Sequence, residues 1–222
     1  MKTLKKYKAL FFDLDGTLTD SCTGILNSVT YALKKMVTDV PTQNELISFI
    51  GPPLIDEFKK KFNYSQKQAE QGVAYYREYF REKGIFENSL YDGIEEALVR
   101  LKDSGYTLVI ATSKPEEFAV KIIKNFNIDN LFTLICGSTL GKSRNQKHQV
   151  IAYAIKKLSR KMNISKDEIL MIGDRCHDID GAKRNNIDSM GVLYGYGTED
   201  ELITAGADYL APHVSDILDI LC

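Results

Sequence analysis

Five short apolar runs punctuate the chain, at 9–14, 107–111, 132–136, 169–172 and 189–193. Each is continuous rather than alternating, as expected of strands covered by helices on both sheet faces. Between the later runs, apolar positions fall at helical spacing. Ile94, Ala97, Leu98 and Leu101 form such a stripe over 92–102, which stops near Gly105. Segments 116–125, 147–161 and 178–185 continue the alternation. The succession predicts an α/β fold with a doubly wound, Rossmann-like parallel sheet.

The stretch from 18 to 90 breaks this rhythm and shows no convincing strand. Ile25, Leu26, Val29, Leu33, Met36 and Val37 form an amphipathic stripe. Thr42 with Glu45, and Ser65 with Gln68, have capping-box spacing and open further helices. The last of these ends near Gly84 and carries Tyr75, Tyr76, Tyr79 and Phe80, read as core of the insert. Gly51-Pro52-Pro53 reads as a rigid linker between two helices. The expected organisation is an α/β core of 1–17 and 91–222 interrupted by an all-helical domain of 18–90.

Composition narrows the class. Among 222 residues, 29 Lys and Arg oppose 30 Asp and Glu, a net charge of -1 that gives no pull toward nucleic acid or an anionic membrane. No apolar run approaches the ~20 residues of a membrane helix. The opening lysines and apolar run are cut by Asp13 and Asp15, unlike a signal peptide. Cys22, Cys136, Cys176 and Cys222 form no CxxC pair, so neither a disulfide framework nor a zinc knuckle is expected, and the cytoplasm is the expected location. No Cys has an Arg six positions on, which excludes a cysteine-based phosphatase. His148, His177 and His213 show no metal-ligand spacing.

The candidate chemistry lies where apolar runs end. Phe12-Asp13-Leu14-Asp15-Gly16-Thr17-Leu18 places two carboxylates at a strand's carboxyl end, where open α/β sheets bind ligands. Burying carboxylates there is costly without a cation or hydrogen bonds. Met171-Ile172-Gly173-Asp174 ends a second run the same way, and Asp178 opens the next helix. A carboxylate cluster without thiol or imidazole ligands fits a hard divalent cation, magnesium above all. Ala111-Thr112-Ser113-Lys114-Pro115 offers a hydroxyl pair. Ser113 and Glu116 are spaced as a capping box with Pro115 in the first turn, so the amides there favour an anion. In 141–148, Lys147 is preferred to Lys142 as a phosphate-binding cation because it opens a helix. Gly195-Tyr196-Gly197 lacks a dinucleotide-binding context and reads as a turn before a helix capped by Thr198 and Glu201.

These motifs, in this order, resemble the haloacid dehalogenase-like hydrolase superfamily over nearly the whole chain. FFDLDGTLTDS carries most of the resemblance; ATSKP, GDRCHDIDGAK and GVLYGYGT point to its phosphoglycolate phosphatase and 5′-nucleotidase-like branch. The resemblance implies that Asp13 is the nucleophile and Asp15 the general acid/base. It implies that Thr112 and Lys147 bind the phosphoryl group, and Ser113, the second hydroxyl of the pair, is expected to bind it with them. Mg²⁺ would be held by Asp13, Asp15 and Asp174, with Asp178 behind them. Lys147 is followed by His148, where the family usually has Pro. The insert then corresponds to a helical cap, and the substrate to a small phosphomonoester met by a monomer or homodimer. Two alternatives share the acid set: a sugar phosphomutase, and a signalling module phosphorylated on Asp.

Overall fold

The computed structural model describes residues 7–140 and 144–222. The chain forms two compact units: residues to Thr19 with Leu90–Cys222, and Asp20–Ser89. Its strands are β1 (Ala9–Phe12), β2 (Thr19–Asp20), β3 (Ser89–Leu90), β4 (Thr107–Pro115), β5 (Leu134–Ser138), β6 (Ile169–Gly173), β7 (Asp188–Val192) and β8 (Tyr209–Ala211). The helices of the second unit are α1 (Cys22–Lys35), α2 (Gln43–Leu46), α3 (Leu54–Phe62) and α4 (Gln66–Glu82). Those of the first are α5 (Ile94–Asp103), α6 (Glu116–Asn125), α7 (Lys147–Leu158), α8 (Cys176–Asn185), α9 (Glu199–Ala205) and α10 (Val214–Leu221).

The first unit is a parallel sheet in the order β5-β4-β1-β6-β7-β8. All four residues of β1 are buried, as its continuous apolar sequence requires. After β5 the chain returns to the far side of β1, so strand order reverses beside it, the arrangement that opens a crevice at the carboxyl ends. Register then fixes which residues share that edge. Phe12 lies opposite Ile110 on one side and Ile172 on the other. Asp13 follows Phe12 directly, whereas Thr112 and Asp174 each stand two residues beyond their registered partner. One face of the sheet packs Phe11, Val109 and Met171 against Val150, Ile151 and Ala154 of α7.

The second unit is a helical assembly with α1 against α4 and α3 against α4. Its core includes Phe58 and Phe80, both buried. Tyr76 is buried as expected, but Tyr75 and Tyr79 of the same run are only half-buried. A helix presents one face inward, and four aromatics within six residues cannot all share it. Val37 departs from the predicted stripe: α1 ends at Lys35, and Val37 stands 95% exposed with φ 53°. The chain turns there, Thr38 N–H donating to Leu33 O at 3.0 Å, so the face is already lost.

Three strands escape the sequence pattern. β2 and β3 are two residues each and pair with each other, and β8 is three residues at the sheet edge, too short for any periodicity. β4 also runs past its expected end at 111, to Pro115. The Ser113–Glu116 capping box is therefore overturned: Pro115 precedes the first turn of α6, and Ser113 is still strand.

Candidate active site

Asp13 begins where β1 stops. Its amide still donates to Ile172 O at 2.9 Å, which holds the residue on the sheet edge, and its Oδ1 accepts the Leu14 amide at 2.7 Å. The next turn is tight: the amides of Leu18 and Thr19 both reach Leu14 O at 2.9 Å, and Gly16 adopts φ 82°. A side chain at Gly16 would be strained in that region and would collide with the Asp174 carboxylate.

Lys147, the first residue of α7, reaches the same point from the other side. Its Nζ lies 2.8 Å from Asp13 Oδ2 and 2.6 Å from Asp178 Oδ1. Asp178 also closes the start of α8, its Oδ2 accepting the Arg175 amide at 3.0 Å. Capping and charge pairing are thus served by separate oxygens of one carboxylate. Asp174 is fully buried and accepts from Thr17 Oγ1 at 3.2 Å and from the Tyr196 amide at 2.9 Å. Asp13, Asp174 and Asp178 bring ligand oxygens within 4.8 Å of one another, a spacing able to hold a metal ion.

Such crowding raises proton affinity. Burial pushes the Asp174 carboxyl well above the usual carboxylate range, and the charges of Asp178 and Asp13 add to it. Burial also raises Asp178, to about 6, against the opposing pull of Lys147. Burial disfavours the Lys147 ammonium, yet Asp13 and Asp178 outweigh it and hold its pKa above the ordinary value.

Asp15 stands two residues beyond Asp13. Its Oδ2 pairs with Lys114 Nζ at 2.9 Å, whereas its buried Oδ1 has no hydrogen-bond partner. Thr112 is buried and accepts the Lys114 amide at 3.2 Å. Ser113, half-buried, follows it on the strand. Asp13, Lys147, Asp174 and Asp178 therefore form one connected cluster, with Asp15 held by its own lysine. Lys142 lies outside the described residues.

Two features of the site were not read from the sequence. Lys114 sits within ATSKP, past the point where the β4–β5 register shifts, so residue type alone does not show that it meets Asp15. The Gly195-Tyr196-Gly197 turn does more than precede α9. A Cβ at Gly195 would collide with Asp174 and with Gly16 O, and one at Gly197 would collide with Asp174 O. The turn thus brings backbone, including the Tyr196 amide, against Asp174.

The family model described as haloacid dehalogenase-like hydrolase matches residues 10–192. The chain belongs to that family. It is 43% identical to a 5′-nucleotidase of Pseudomonas aeruginosa over 197 residues, covering 89% of this chain and 87% of that one. It is 37% identical to the tyrosine-protein kinase PtkA of Mycobacterium tuberculosis over 86% of this chain and 64% of that protein. A phosphoglycolate phosphatase of Colwellia psychrerythraea is 29% identical over 97% of both chains. The crystal structure of a predicted phosphatase from Clostridium acetobutylicum superposes with a TM-score of 0.92 at 44% identity, covering 97% of this chain and 98% of that one.

Proposed function

We propose that this family member is a magnesium-dependent phosphatase that hydrolyses small phosphomonoesters through a phospho-aspartate on Asp13. The carrying observation is Asp13 itself: a nearly buried carboxylate at a strand tip, 2.8 Å from a lysine ammonium and within metal-sharing distance of Asp174 and Asp178.

The donor set fits a hard dication. With all four ionised, Asp13, Asp15, Asp174 and Asp178 face the ammonium groups of Lys114 and Lys147, which leaves two negative charges uncompensated. Oxygen ligands without thiol or imidazole favour Mg²⁺ over softer ions. The Asp13 carboxylate, the Asp15 backbone carbonyl and Asp174 would hold Mg²⁺, with Asp178 behind them, and the ion would supply charge neutralisation between an anionic substrate and a carboxylate nucleophile.

The chain's own residues then divide the reaction. The Asp13 carboxylate attacks phosphorus, the bond to the leaving oxygen breaks, and Asp15 delivers a proton to that oxygen. In the second half, water attacks the acyl phosphate, gives its proton to Asp15 and frees Asp13. Thr112, Ser113 and Lys147 bind the phosphoryl oxygens; Lys147 is already fixed beside Asp13 and needs little reorganisation. Residues 18–90 act as a cap domain that selects the leaving group.

Substrates of phosphoglycolate or 5′-nucleotide type are the preferred class, on the resemblance of the motifs and the names of the relatives. The near-neutral charge supports a small-molecule partner rather than nucleic acid. Among the described residues no helix is long and apolar enough to cross a membrane. Four free thiols support a reducing cytoplasm, where the enzyme works as a monomer or homodimer.

Phosphate release over a panel of phosphomonoesters, with Mg²⁺ and with chelator, tests the reading. Magnesium-dependent release is expected from several small esters, with a hydroxylamine-labile phosphate on the Asp13 peptide. Undiminished turnover in a folded Asp13→Asn protein overturns it, and transfer to a second position on a sugar in place of phosphate release identifies a mutase.

A further inference from the structure

Asp15 has an environment distinct from the rest of the acid cluster. One oxygen is clamped by Lys114 at 2.9 Å and the other is buried without a hydrogen-bond partner. A buried polar atom left unpaired is costly, so such an atom at a reaction site points to a ligand that completes it. Lys114 is itself 8% exposed, with only 5% of its side chain accessible, a position a lysine occupies when its charge is matched.

The backbone shows how Lys114 comes to be there. The ladder between β4 and β5 runs regularly to Ala111–Cys136, then resumes at Pro115–Ser138. Four residues of advance on β4 are met by two on β5, so the strand bulges over 112–114. Bulges re-aim side chains beside functional sites. The Lys114 amide donates to Thr112 Oγ1 at 3.2 Å. Thr112 and Lys114, two apart, then serve neighbouring tasks at one strand end.

Building on the role proposed above for Asp15, we infer that Lys114 is a positioning residue for proton transfer. Its ammonium fixes Asp15 through Oδ2, so that Oδ1 carries the proton to the leaving oxygen and later receives one from water. Asp15 lies within the turn closed on Leu14 O and has a rotatable side chain. The clamp removes that freedom before substrate arrives, which is where orientation gains its rate advantage. Lys114 does not touch phosphorus or the leaving group.

The inference separates Lys114 from Lys147. Lys147 pairs with the nucleophile, so its loss damages every substrate alike. Loss of Lys114 should matter in proportion to how much the leaving group needs a proton. An alkyl alcohol needs one; 4-nitrophenolate leaves with little help. In the Mg²⁺-loaded enzyme, Lys114→Met is expected to lower kcat about 10–100-fold on an alkyl phosphate, no more than the roughly 100-fold lower end for losing a general acid outright because Asp15 remains, and less than about threefold on 4-nitrophenyl phosphate. Lys114→Arg, which retains the cation, should recover most of the alkyl activity. Asp15→Asn should show the same substrate bias, more strongly.

Activity on 4-nitrophenyl phosphate reports folding, so a misfolded variant is not mistaken for support. Equal losses on both substrates in Lys114→Met, alongside a biased Asp15→Asn, would overturn the positioning role and leave the assignment of Asp15 standing. An Asp15→Asn protein without bias would remove the acid–base assignment and this inference with it.

Discussion

Lys147 Nζ stands 2.8 Å from Asp13 Oδ2, joining the first turn of α7 to the end of β1. The same ammonium lies 2.6 Å from Asp178 Oδ1, so one side chain ties together three segments distant in sequence. Removing it leaves two carboxylates without their cation. Breaking a buried pair by deleting one partner costs about 3–5 kcal/mol. Lys147→Met should therefore be destabilised by that order in chelator, read as a lower urea midpoint, and should lose phosphatase activity on alkyl and aryl esters alike. An unchanged midpoint would show that the pairing contributes nothing to the fold.

Metal binding and pH should be linked with a definite sign. Asp174 and Asp178 are both raised in the metal-free protein, Asp178 to about 6. A carboxyl with a raised folded pKa contributes stability that is fully present below its unfolded pKa and lost as pH rises through the folded one. The metal-free protein should thus pay most for its crowded carboxylates above pH 6. Mg²⁺ should raise Tm more at pH 7.5 than at pH 5, because at pH 5 protons compete for the same oxygens. Asp174→Asn should lose most of the Mg²⁺ response. Thermal melts with and without chelator decide it; an equal Mg²⁺ increment at both pH values contradicts the linkage.

Gly195 is predicted to tolerate no side chain. Its Cβ position is taken by Asp174 and by the Gly16 carbonyl, both fixed by surrounding backbone. Gly195→Ala should lower Tm and weaken Mg²⁺ binding together, since the displaced turn carries the Tyr196 amide away from Asp174. Gly105, with nothing near its Cβ position but φ 90°, offers the contrast: Gly105→Ala should cost stability through backbone strain and leave Mg²⁺ affinity alone. Calorimetric titration of both variants separates the two effects.

A peripheral pair should shape acid stability. The Glu168 carboxyl is held down to about 2, first by Lys8 and then by Ser165, whose amide donates to it at 2.9 Å. A depressed folded pKa contributes stability present above the unfolded value and lost as pH falls through the folded one. Glu168→Gln should flatten the stability profile between about pH 4.5 and 2 and leave activity at neutral pH unchanged. Denaturant midpoints across that range test it.

Much of the site was legible because carboxylates at the ends of continuous apolar runs are chemically conspicuous. Asp13 and Asp174 each interrupt a run that would otherwise be pure core, and such placement is costly without a purpose. Lys147 was legible from its place at a helix start. What stayed hidden depended on backbone rather than composition. The bulge that turns Lys114 toward Asp15 leaves no trace in residue type. The Gly195-Tyr196-Gly197 turn serves through absent side chains and one amide, and a glycine does not announce its neighbour. The same limit explains Val37, apolar and in phase, yet two residues past the end of α1.

β1 has a consequence for synthesis. Its first residue, Ala9, registers with Thr107 on one side and Ile169 on the other. β1 is translated before both of its partners and must wait for them, while the helices of Asp20–Ser89 can settle through nearer contacts. Pairings so remote in sequence close slowly. Until the 169–173 segment is translated, β1 has a partner on one side only, its β6 edge stays open, and the Asp174 carboxylate that completes the cluster is missing.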